Sequence, residues 1–260
     1  MVKATASVDV EGICLAYGRT TVVEGVDGSF EPGSMTAVIG PNGAGKSTLS
    51  KALVGLIRPA RGVIRLHGQQ IAYLPQRADI DSSFPISVRD AVQLGLWPRL
   101  GGWRGVSRDD RDRVDAALEA VGLASLARRV VGDLSVGQLQ RVFFARLMVQ
   151  DAPVILLDEP FNAVDEATVS DLLEITLGWR DEGRTVIAVL HDQSQVRHYF
   201  PDCLVLDRTV KAWGPTASIL GPISTIPRSS DRRMPAFGAE SVGAEGLGNG
   251  DRGHIGAGGV

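Results

Sequence analysis

Runs of apolar residues in the first part of the chain are short, and in several of them apolar and polar positions alternate. These runs predict β-strands over residues 8–15, 22–30, 36–39, 63–66 and 71–74. From residue 87 the apolar spacing becomes helical and predicts helices over residues 87–94 and 107–121, with Ser107 and Asp110 as a capping pair in the second. The sequence therefore predicts a helical insertion between about residues 87 and 150.

Two later runs, residues 154–157 and 185–190, are apolar without alternation. Such runs are typical of parallel strands that are buried on both faces. The segment 166–180 between them predicts the crossover helix, and residues 203–206 and 210–213 predict a closing hairpin. Strands that alternate with helices in this way indicate an α/β fold.

The composition changes near Gly221, after which Gly, Ser, Arg and Pro dominate to residue 260. A segment with so little apolar surface cannot offset the entropy lost on ordering, so we expect a disordered tail over residues 221–260. The folded unit is then expected over residues 1–220. The two cysteines, Cys14 and Cys203, have no metal-ligand spacing, which favours a reducing cytosol over a disulfide scaffold.

The charge and hydropathy of the chain indicate whether it binds nucleic acid or enters a membrane by itself. The 27 lysines and arginines against 30 aspartates and glutamates give a net charge of −3. This balance offers no global positive charge for nonspecific nucleic-acid binding, and we expect no nucleic-acid partner. No apolar run approaches the ~20 residues that span a bilayer, and the first residues lack the apolar core of a secretory signal. Any membrane role is therefore expected to come through a partner.

Residues 40–48 fill every fixed position of the phosphate-binding pattern G-x-x-x-x-G-K-[ST]. An apolar strand leads into this loop and a helical run leads out of it. The glycines let backbone N–H groups turn inward around phosphate oxygens, and the helix N-terminus adds partial positive charge. We expect Lys46 to reach the β- and γ-phosphates and the Ser47 hydroxyl to bind Mg²⁺. The phosphate-binding residues are expected to be Gly40, Pro41, Asn42, Gly43, Ala44, Gly45, Lys46, Ser47 and Thr48.

Asp158 and Glu159 follow the apolar run 154–157, and His191 follows the run 185–190. In open α/β sheets, ligands gather at the carboxyl ends of the strands, so these side chains are expected at the phosphate edge. Adjacent residues on a strand point to opposite sides, so one acid is expected to orient Mg²⁺ while the other polarises the attacking water. His191 is predicted to sense the γ-phosphate, and the alternative is a histidine with a structural role.

Ser135 precedes an amphipathic run in which residues 139–148 have helical spacing. From this stretch alone, a capped core helix is the simpler interpretation. Together with the phosphate loop, the acids and His191, in that order along the chain, the stretch 134–138 resembles the nucleotide-binding subunit of ABC transporters. The resemblance covers about residues 8–220. It implies a P-loop NTPase core of the ABC ATPase type, with an antiparallel β subdomain and a helical insertion.

The resemblance implies that the chain is an ATPase that uses ATP and Mg²⁺, and it assigns a role to each matching residue. Tyr17 is expected to stack on adenine, and Gln76 to contact Mg²⁺ and the lytic water. Asp158 corresponds to the Mg²⁺-associated acid, Glu159 to the general base and His191 to the switch histidine.

The family also implies a composite site between two subunits. Ser135, Gly137 and Gln138 are expected to bind the γ-phosphate held by the opposite subunit, and Asp165 to lie in the loop that communicates across the dimer. One copy of each element implies a homodimer. The family's signature usually has glycine where this chain has Val136, which is expected to add bulk near the phosphate and slow closure. Because Ser135 and Gly137 are retained, we expect function to persist.

The segment 77–90, with its acidic stretch followed by Phe84 and Pro85, resembles the zinc and manganese importers, and so does the loop 161–165. This likeness implies an importer ATPase, with zinc as the favoured cargo, at the cytoplasmic face of the membrane. The partners it implies are membrane permease subunits and an extracytoplasmic metal-binding protein. Trp97 and Trp103 lie in the insertion and face either the permease or the core.

The sequence leaves three alternatives to a zinc importer. The first is an ABC ATPase for manganese or another cargo, or for export. The second is a soluble ABC protein of translation, DNA repair or cluster assembly, although no tandem ATPase domain, coiled-coil arm or zinc insertion is visible. The third is a nonenzymatic scaffold, which the presence of Lys46, Glu159 and His191 disfavours.

Overall fold

The computed structural model describes residues 8–76, 85–101 and 105–221. Within these ranges the chain forms nine β-strands and eight α-helices. The expected tail beyond Gly221, residues 77–84 of the importer-like segment and Trp103 lie outside the described residues, so the predictions made for them stay predictions.

An antiparallel sheet is built from the first two strands and the fourth. These are β1 (Val8–Tyr17), β2 (Thr20–Phe30) and β4 (Arg61–Arg65), in the order β2-β1-β4. Apolar residues of β1 alternate towards the interior, as the side-chain period of a strand with one buried face requires, and the predicted strand 8–15 extends to Tyr17. The predicted strand 63–66 begins two residues earlier in the structure, where Arg61 pairs with Cys14 of β1, and it ends at Arg65.

A six-stranded sheet forms the centre of the α/β core. It consists of β3 (Met35–Ile39), β5 (Ile71–Leu74), β6 (Val154–Asp158), β7 (Thr185–Val189), β8 (Asp202–Asp207) and β9 (Thr209–Pro215), in the order β5-β6-β7-β3-β8-β9. All neighbours pair in parallel except β8 and β9, which form the predicted hairpin. Strands β3, β6 and β7 are buried along their whole length, as their unbroken apolar runs predict.

Helices cover this sheet and fill the predicted insertion. Four of them, α1 (Lys46–Leu53), α6 (Glu166–Asp181), α7 (Gln193–Tyr199) and α8 (Thr216–Leu220), belong to the α/β core. The other four are α2 (Val88–Gln93), α3 (Trp97–Leu100), α4 (Arg108–Ala120) and α5 (Val136–Gln150). The short helices α3, α7 and α8 were not predicted, because one or two turns are too few to show a helical period. Among the described residues, no helix is both long and apolar enough to cross a membrane.

The two sides of the parallel sheet bury different sets of apolar residues. One set joins β1, β2 and α1 to the sheet and includes Phe30, Leu49 and Leu156. The other joins the helices of the insertion and α6 to the opposite face, with Phe144 stacked on Trp179 at 5.5 Å. The sheet edge that carries the candidate site is therefore held between two packed layers.

Helices α4 and α5 both begin with a capping box, in which a serine and the residue three positions later satisfy each other's backbone N–H. In α4, Ser107 accepts from the Asp110 N–H at 3.2 Å and the Asp110 carboxylate accepts from the Ser107 N–H at 3.0 Å. The Ser107 hydroxyl and N–H hold the pKa of Asp110 below its usual range, and Arg99 adds to this effect. The predicted capping pair is confirmed.

Replacing Ser107 with alanine tests this cap. Ser107→Ala should lower the free energy of unfolding by about 1 kcal/mol at neutral pH, because an orphan N–H of α4 loses its acceptor. The loss of stability caused by Ser107→Ala should shrink as the pH falls through the lowered pKa of Asp110. A carboxylate whose pKa is depressed in the folded state stabilises the fold above its unfolded-state pKa, and this contribution is lost as the pH falls through the folded-state pKa. Chemical denaturation measures both effects. Ser170→Ala, at an exposed position inside α6, is the matched control and should change stability little; an equal loss there would contradict the capping role.

Candidate active site

The loop between β3 and α1 forms a cradle at the edge of the parallel sheet. Two of its glycines are required by their surroundings. Gly40 has φ +153°, and a Cβ there would lie 1.9 Å from the Leu206 carbonyl oxygen. Gly45 has φ +97°, and its Cβ would lie 2.3 Å from Val23 Cγ2. Only glycine allows the backbone to pass this close to β8 and β2 while turning into α1.

Lys46 begins α1, and its side chain bends back over the loop. Its ammonium donates hydrogen bonds to the carbonyl oxygens of Gly40 at 2.8 Å and Pro41 at 3.0 Å. Burial lowers the pKa of Lys46, while the carboxylates of Glu159 and Asp158 act in the opposite direction. A buried cation at a helix N-terminus is suited to hold phosphate oxygens.

Asp158 is the last residue of β6 and is almost fully buried, with 1% of its surface exposed. The Ser47 hydroxyl in α1 donates to its Oδ1 at 3.4 Å. Burial raises the pKa of Asp158, and the Ser47 hydrogen bond and the charges of Lys51 and Lys46 oppose this shift. The structure thus brings together two of the predicted Mg²⁺ ligands, one from each of two elements far apart in sequence.

Glu159 does not continue β6, so the argument from strand alternation is wrong for this residue. The strand ends at Asp158, and Glu159 has φ +54°, in the left-handed region. Its N–H donates to the Val189 carbonyl at 3.1 Å, and its own carbonyl accepts from the Asn162 N–H at 3.3 Å. A tight turn, rather than the pleat of the strand, therefore separates the two acids, because the chain must leave the sheet at this point.

Three side chains, each from a different segment, form hydrogen bonds with the Glu159 carboxylate. Gln76, beyond β5, donates to Oε2 at 2.7 Å, and Asn162 donates to the same oxygen. His191, beyond β7, is paired with Oε1. The side chain of Glu159 is only 8% exposed. All three predicted catalytic residues, Glu159, Gln76 and His191, therefore meet at one carboxylate.

The phosphate loop and the carboxylate line one cavity of about 250 Å³. Its lining is formed by Val22, Asn42, Gly43, Ala44, Gly45, Lys46, Ser47, Thr48, Gln76 and Glu159. A second cavity of about 240 Å³ is also lined by Glu159, and Asn162 and His191 contribute to its wall. Glu159 thus contributes to the walls of both cavities.

Six predicted binding residues do not line the phosphate cavity. Two of them, Gly40 and Pro41, belong to the loop itself, where their carbonyl oxygens accept hydrogen bonds from Lys46. Ser135 caps α5 and accepts from the Gln138 N–H at 3.2 Å, and the Gln138 side chain accepts from the Ser135 N–H at 3.1 Å. Gly137 lies in the same first turn. Tyr17 ends β1 and is 51% exposed. Val136 is 60% exposed at the tip of α5, so the substituted position of the signature faces outward.

Two residues of the site were not predicted. Val22 of β2 lines the phosphate cavity, and nothing in its local sequence marks it, because its position follows from how the antiparallel sheet packs on the loop. Asn162 contacts Glu159, and here a signal existed: a polar amide three residues after the acid, in a segment with turn character.

Comparison with known proteins agrees with this geometry. The family model described as ABC transporter matches residues 23–162. A Chlamydia pneumoniae protein named a probable metal transport system ATP-binding protein is 41% identical over 81% of this chain and 84% of its own length. The manganese transport system ATP-binding protein MntB of Listeria innocua is 37% identical over 80% of this chain and 89% of its own.

Two further matches extend the comparison. The zinc transport system ATP-binding protein TroB of Treponema pallidum is 39% identical over 84% of this chain and 85% of its own length. A solved ABC transporter described as of the metal-chelate type, in an inward-facing conformation, is 30% identical, with a TM-score of 0.75 over 83% of this chain and 85% of that chain. The predicted fold of the ABC ATPase type is confirmed. The chain therefore belongs to the ABC transporter family and is one of its ATPases.

Proposed function

We propose that this chain is the ATP-hydrolysing subunit of an ABC importer for a divalent metal, with zinc as the favoured cargo. The observation that carries the ATPase part is the meeting of Lys46, Gln76, Glu159 and His191 at one edge of the sheet. The assignment to metal transport rests on the names of the relatives, which are metal, manganese and zinc transport system ATP-binding proteins. The residue roles below are part of the proposal.

The triphosphate of ATP lies along the loop 40–48, where Lys46 and the backbone N–H groups hold the β- and γ-phosphates. In this position Lys46 exchanges its hydrogen bonds to the Gly40 and Pro41 carbonyls for phosphate oxygens. The exchange keeps the buried ammonium paired throughout, so little is lost by desolvation on binding.

The side chains of Ser47, Asp158 and Gln76 fit Mg²⁺. All three offer oxygen atoms, the donors that this hard cation prefers, and the Ser47 hydroxyl already lies 3.4 Å from the Asp158 carboxylate. When bound, Mg²⁺ supplies charge stabilisation for the phosphate oxygens. On the protein side, the Asp158 carboxylate is stabilised by the Ser47 hydrogen bond and by the charges of Lys51 and Lys46, which oppose the effect of burial on its pKa.

Glu159 acts as the general base and accepts the proton of the attacking water on its carboxylate. Gln76 holds Oε2 and His191 holds Oε1, so the carboxylate is fixed in orientation before the water arrives. His191 then lies beside the γ-phosphate, where it stabilises the charge that develops as the water attacks.

Two copies of the chain complete the site. Ser135, Gly137 and Gln138 do not line the chain's own phosphate cavity. They form the N-terminus of a 15-residue helix that is exposed at Ser135 and Val136. In the dimer, this end of α5 covers the γ-phosphate held by the partner subunit, and Tyr17 stacks on adenine. We use the term half-site for the part that each chain contributes to one such composite site.

The remaining partners are membrane permease subunits and an extracytoplasmic metal-binding protein, so the chain works at the cytoplasmic face of the membrane. Leu94, directly after α2, and Trp97, the first residue of α3, are 43% and 63% exposed, and exposed apolar side chains of this size suit a permease contact. The likeness of the loop 161–165 supports import of either metal, and the TroB relative favours zinc. Manganese is the second candidate, because the Listeria relative is named for it.

Substitution of Glu159 and of Lys46 should separate hydrolysis from binding. Glu159→Gln should lower the ATPase rate by about 100-fold or more and trap an ATP-bound dimer, because the base is lost while the phosphate cradle remains. Lys46→Ala should weaken ATP binding itself by about tenfold or more. ATPase assays, nucleotide titration and light scattering measure the three effects. The exposed changes Glu182→Gln and Lys211→Ala are matched controls, and wild-type hydrolysis by Glu159→Gln would refute the base assignment.

Val136→Gly should change the ATPase rate only a few-fold. The valine side chain points outward, so its removal costs little packing, while Ser135 and Gly137 keep the close backbone approach to phosphate. A rise of about a hundredfold, roughly 2.7 kcal/mol of barrier, would show instead that Val136 holds the enzyme back. Steady-state hydrolysis by the two proteins, with their unfolding midpoints compared, gives the answer.

Cellular metal content tests the cargo and the direction of transport. Deleting the gene should lower cell-associated zinc and leave manganese unchanged, and the wild-type gene should restore zinc whereas the Glu159→Gln variant should not. Elemental mass spectrometry of washed cells measures both metals. A selective loss of manganese would move the assignment to the second candidate, and a gain of metal on deletion would contradict import.

A further inference from the structure

Helix α5 contacts the segment between Glu159 and α6 through one face of its first two turns. The residues on this face are Gly137, Gln140 and Arg141, spaced as neighbours on a helical surface. A Cβ on Gly137 would lie 3.3 Å from both Asp165 Oδ2 and Thr168 Oγ1, so the backbone of α5 approaches the start of α6 closely.

Gln140 makes the contact nearest to the catalytic carboxylate. Its side-chain amide donates a hydrogen bond to the Pro160 carbonyl at 2.6 Å. Pro160 follows Glu159 directly, within a segment in which both Glu159 and Ala163 have positive φ. The hydrogen bond therefore fixes the middle of the tight turn that aims the Glu159 carboxylate towards Gln76 and His191.

Arg141 holds the helix in place beside this contact. Its guanidinium donates to the Val121 carbonyl at the end of α4 at 3.1 Å and to Thr168 Oγ1 at 3.4 Å. It also pairs with Asp171 of α6 at 2.5 Å, with 21% of its side chain exposed. Arg141 thus ties α5 to both α4 and α6. Because Gln140 lies within the same α-helix that Ser135 caps and whose first turn contains Gly137, a displacement of the N-terminus of α5 carries Gln140 with it.

We propose that Gln140 is a positioning residue for Glu159 and that it couples the two half-sites of the dimer. The inference rests on the proposed function, in which the N-terminus of α5 meets the partner's nucleotide. That N-terminus and the Pro160 carbonyl are joined by less than two turns of helix. When the partner's γ-phosphate engages Ser135 and Gly137, α5 moves and Gln140 sets the position of the turn that carries the base.

The direction of this coupling follows from which nucleotide each element touches. The tip of α5 in one chain contacts the nucleotide held by the partner, whereas Glu159 of the same chain acts on its own nucleotide. Gln140 therefore makes hydrolysis in one composite site depend on occupancy of the other. Errors of about 1 Å in the placement of a reacting group cost on the order of 100-fold in rate, so a single hydrogen bond at this turn is enough to matter.

Gln140→Met tests the proposal, because methionine keeps the length of the side chain and removes the amide donor. We expect kcat to fall about tenfold with KM for ATP within twofold of wild type, and the Hill coefficient for ATP to fall towards 1. Gln140→Asn, which is polar but one methylene shorter, should give the same result and guards against a folding defect in the first variant.

Gln150→Met is the matched control. Gln150 lies at the other end of α5, and its amide donates to the Ile71 carbonyl at 3.5 Å, away from the turn. It should leave kcat, KM and the Hill coefficient unchanged. The unfolding midpoint of each variant is measured alongside.

The outcomes distinguish the inference from the function on which it rests. An unchanged kcat in both Gln140 variants, an increase in KM alone, or an equal loss of kcat in Gln150→Met would overturn the positioning role. A lower kcat with unaltered cooperativity would overturn the coupling. If the wild-type chain hydrolysed ATP without forming an ATP-dependent dimer, the proposed dimer would fail, while kcat of the Gln140 variants would still test the positioning of Glu159.

Discussion

The carboxyl edge of the parallel sheet is the constraint on which the candidate site depends. Strands β5, β6, β7 and β3 lie side by side in parallel, so the residues that follow each of them emerge at the same edge. Gln76 follows β5, Glu159 follows β6, His191 follows β7, and the phosphate loop follows β3. The hydrogen bonds from Gln76 and His191 to Glu159 exist because neighbouring strands are about 5 Å apart, within reach of one side chain.

Burial then gives these side chains chemistry that they lack in water. Asp158 and Lys46 are both almost fully buried. Burial raises the pKa of Asp158 and lowers the pKa of Lys46, because it disfavours the charged form of each side chain. Neighbouring donors and opposite charges compensate, so the loop, the lysine and the acid support one another electrostatically. The two apolar layers that enclose the sheet keep this edge in place, which links the packing of the core to the geometry of the site.

The distribution of the motifs explains why one chain supplies only half of each proposed site. The phosphate loop and Glu159 line one cavity, while the capped end of α5 does not line it and is exposed at Ser135 and Val136. The same helix is nevertheless fastened to the catalytic turn through Gln140 and to α4 and α6 through Arg141. In the proposed dimer, binding of the partner's nucleotide at the exposed end of α5 is therefore only one helix segment and one hydrogen bond away from the turn that carries Glu159.

The sequence alone determined the elements whose signals are local. The phosphate loop, the unbroken apolar strands β6 and β7, and the capping serines of α4 and α5 could all be predicted, because each depends on residues only a few positions apart. The order of the phosphate loop, the stretch 134–138, the two acids and His191 along the chain was enough to identify the ABC transporter family. Boundaries of short helices such as α3 and α7 could not be predicted, since they depend on packing rather than on a repeated spacing.

Only the tertiary structure decided which side chains meet. The turn at Glu159, the contact of Asn162 with its carboxylate, the place of Val22 in the phosphate cavity and the hydrogen bond from Gln140 to Pro160 join segments whose distance is set by the packing of sheets and helices. A local pattern records what a residue can do with its neighbours along the chain. It carries no measure of the distance to a residue that folding brings beside it.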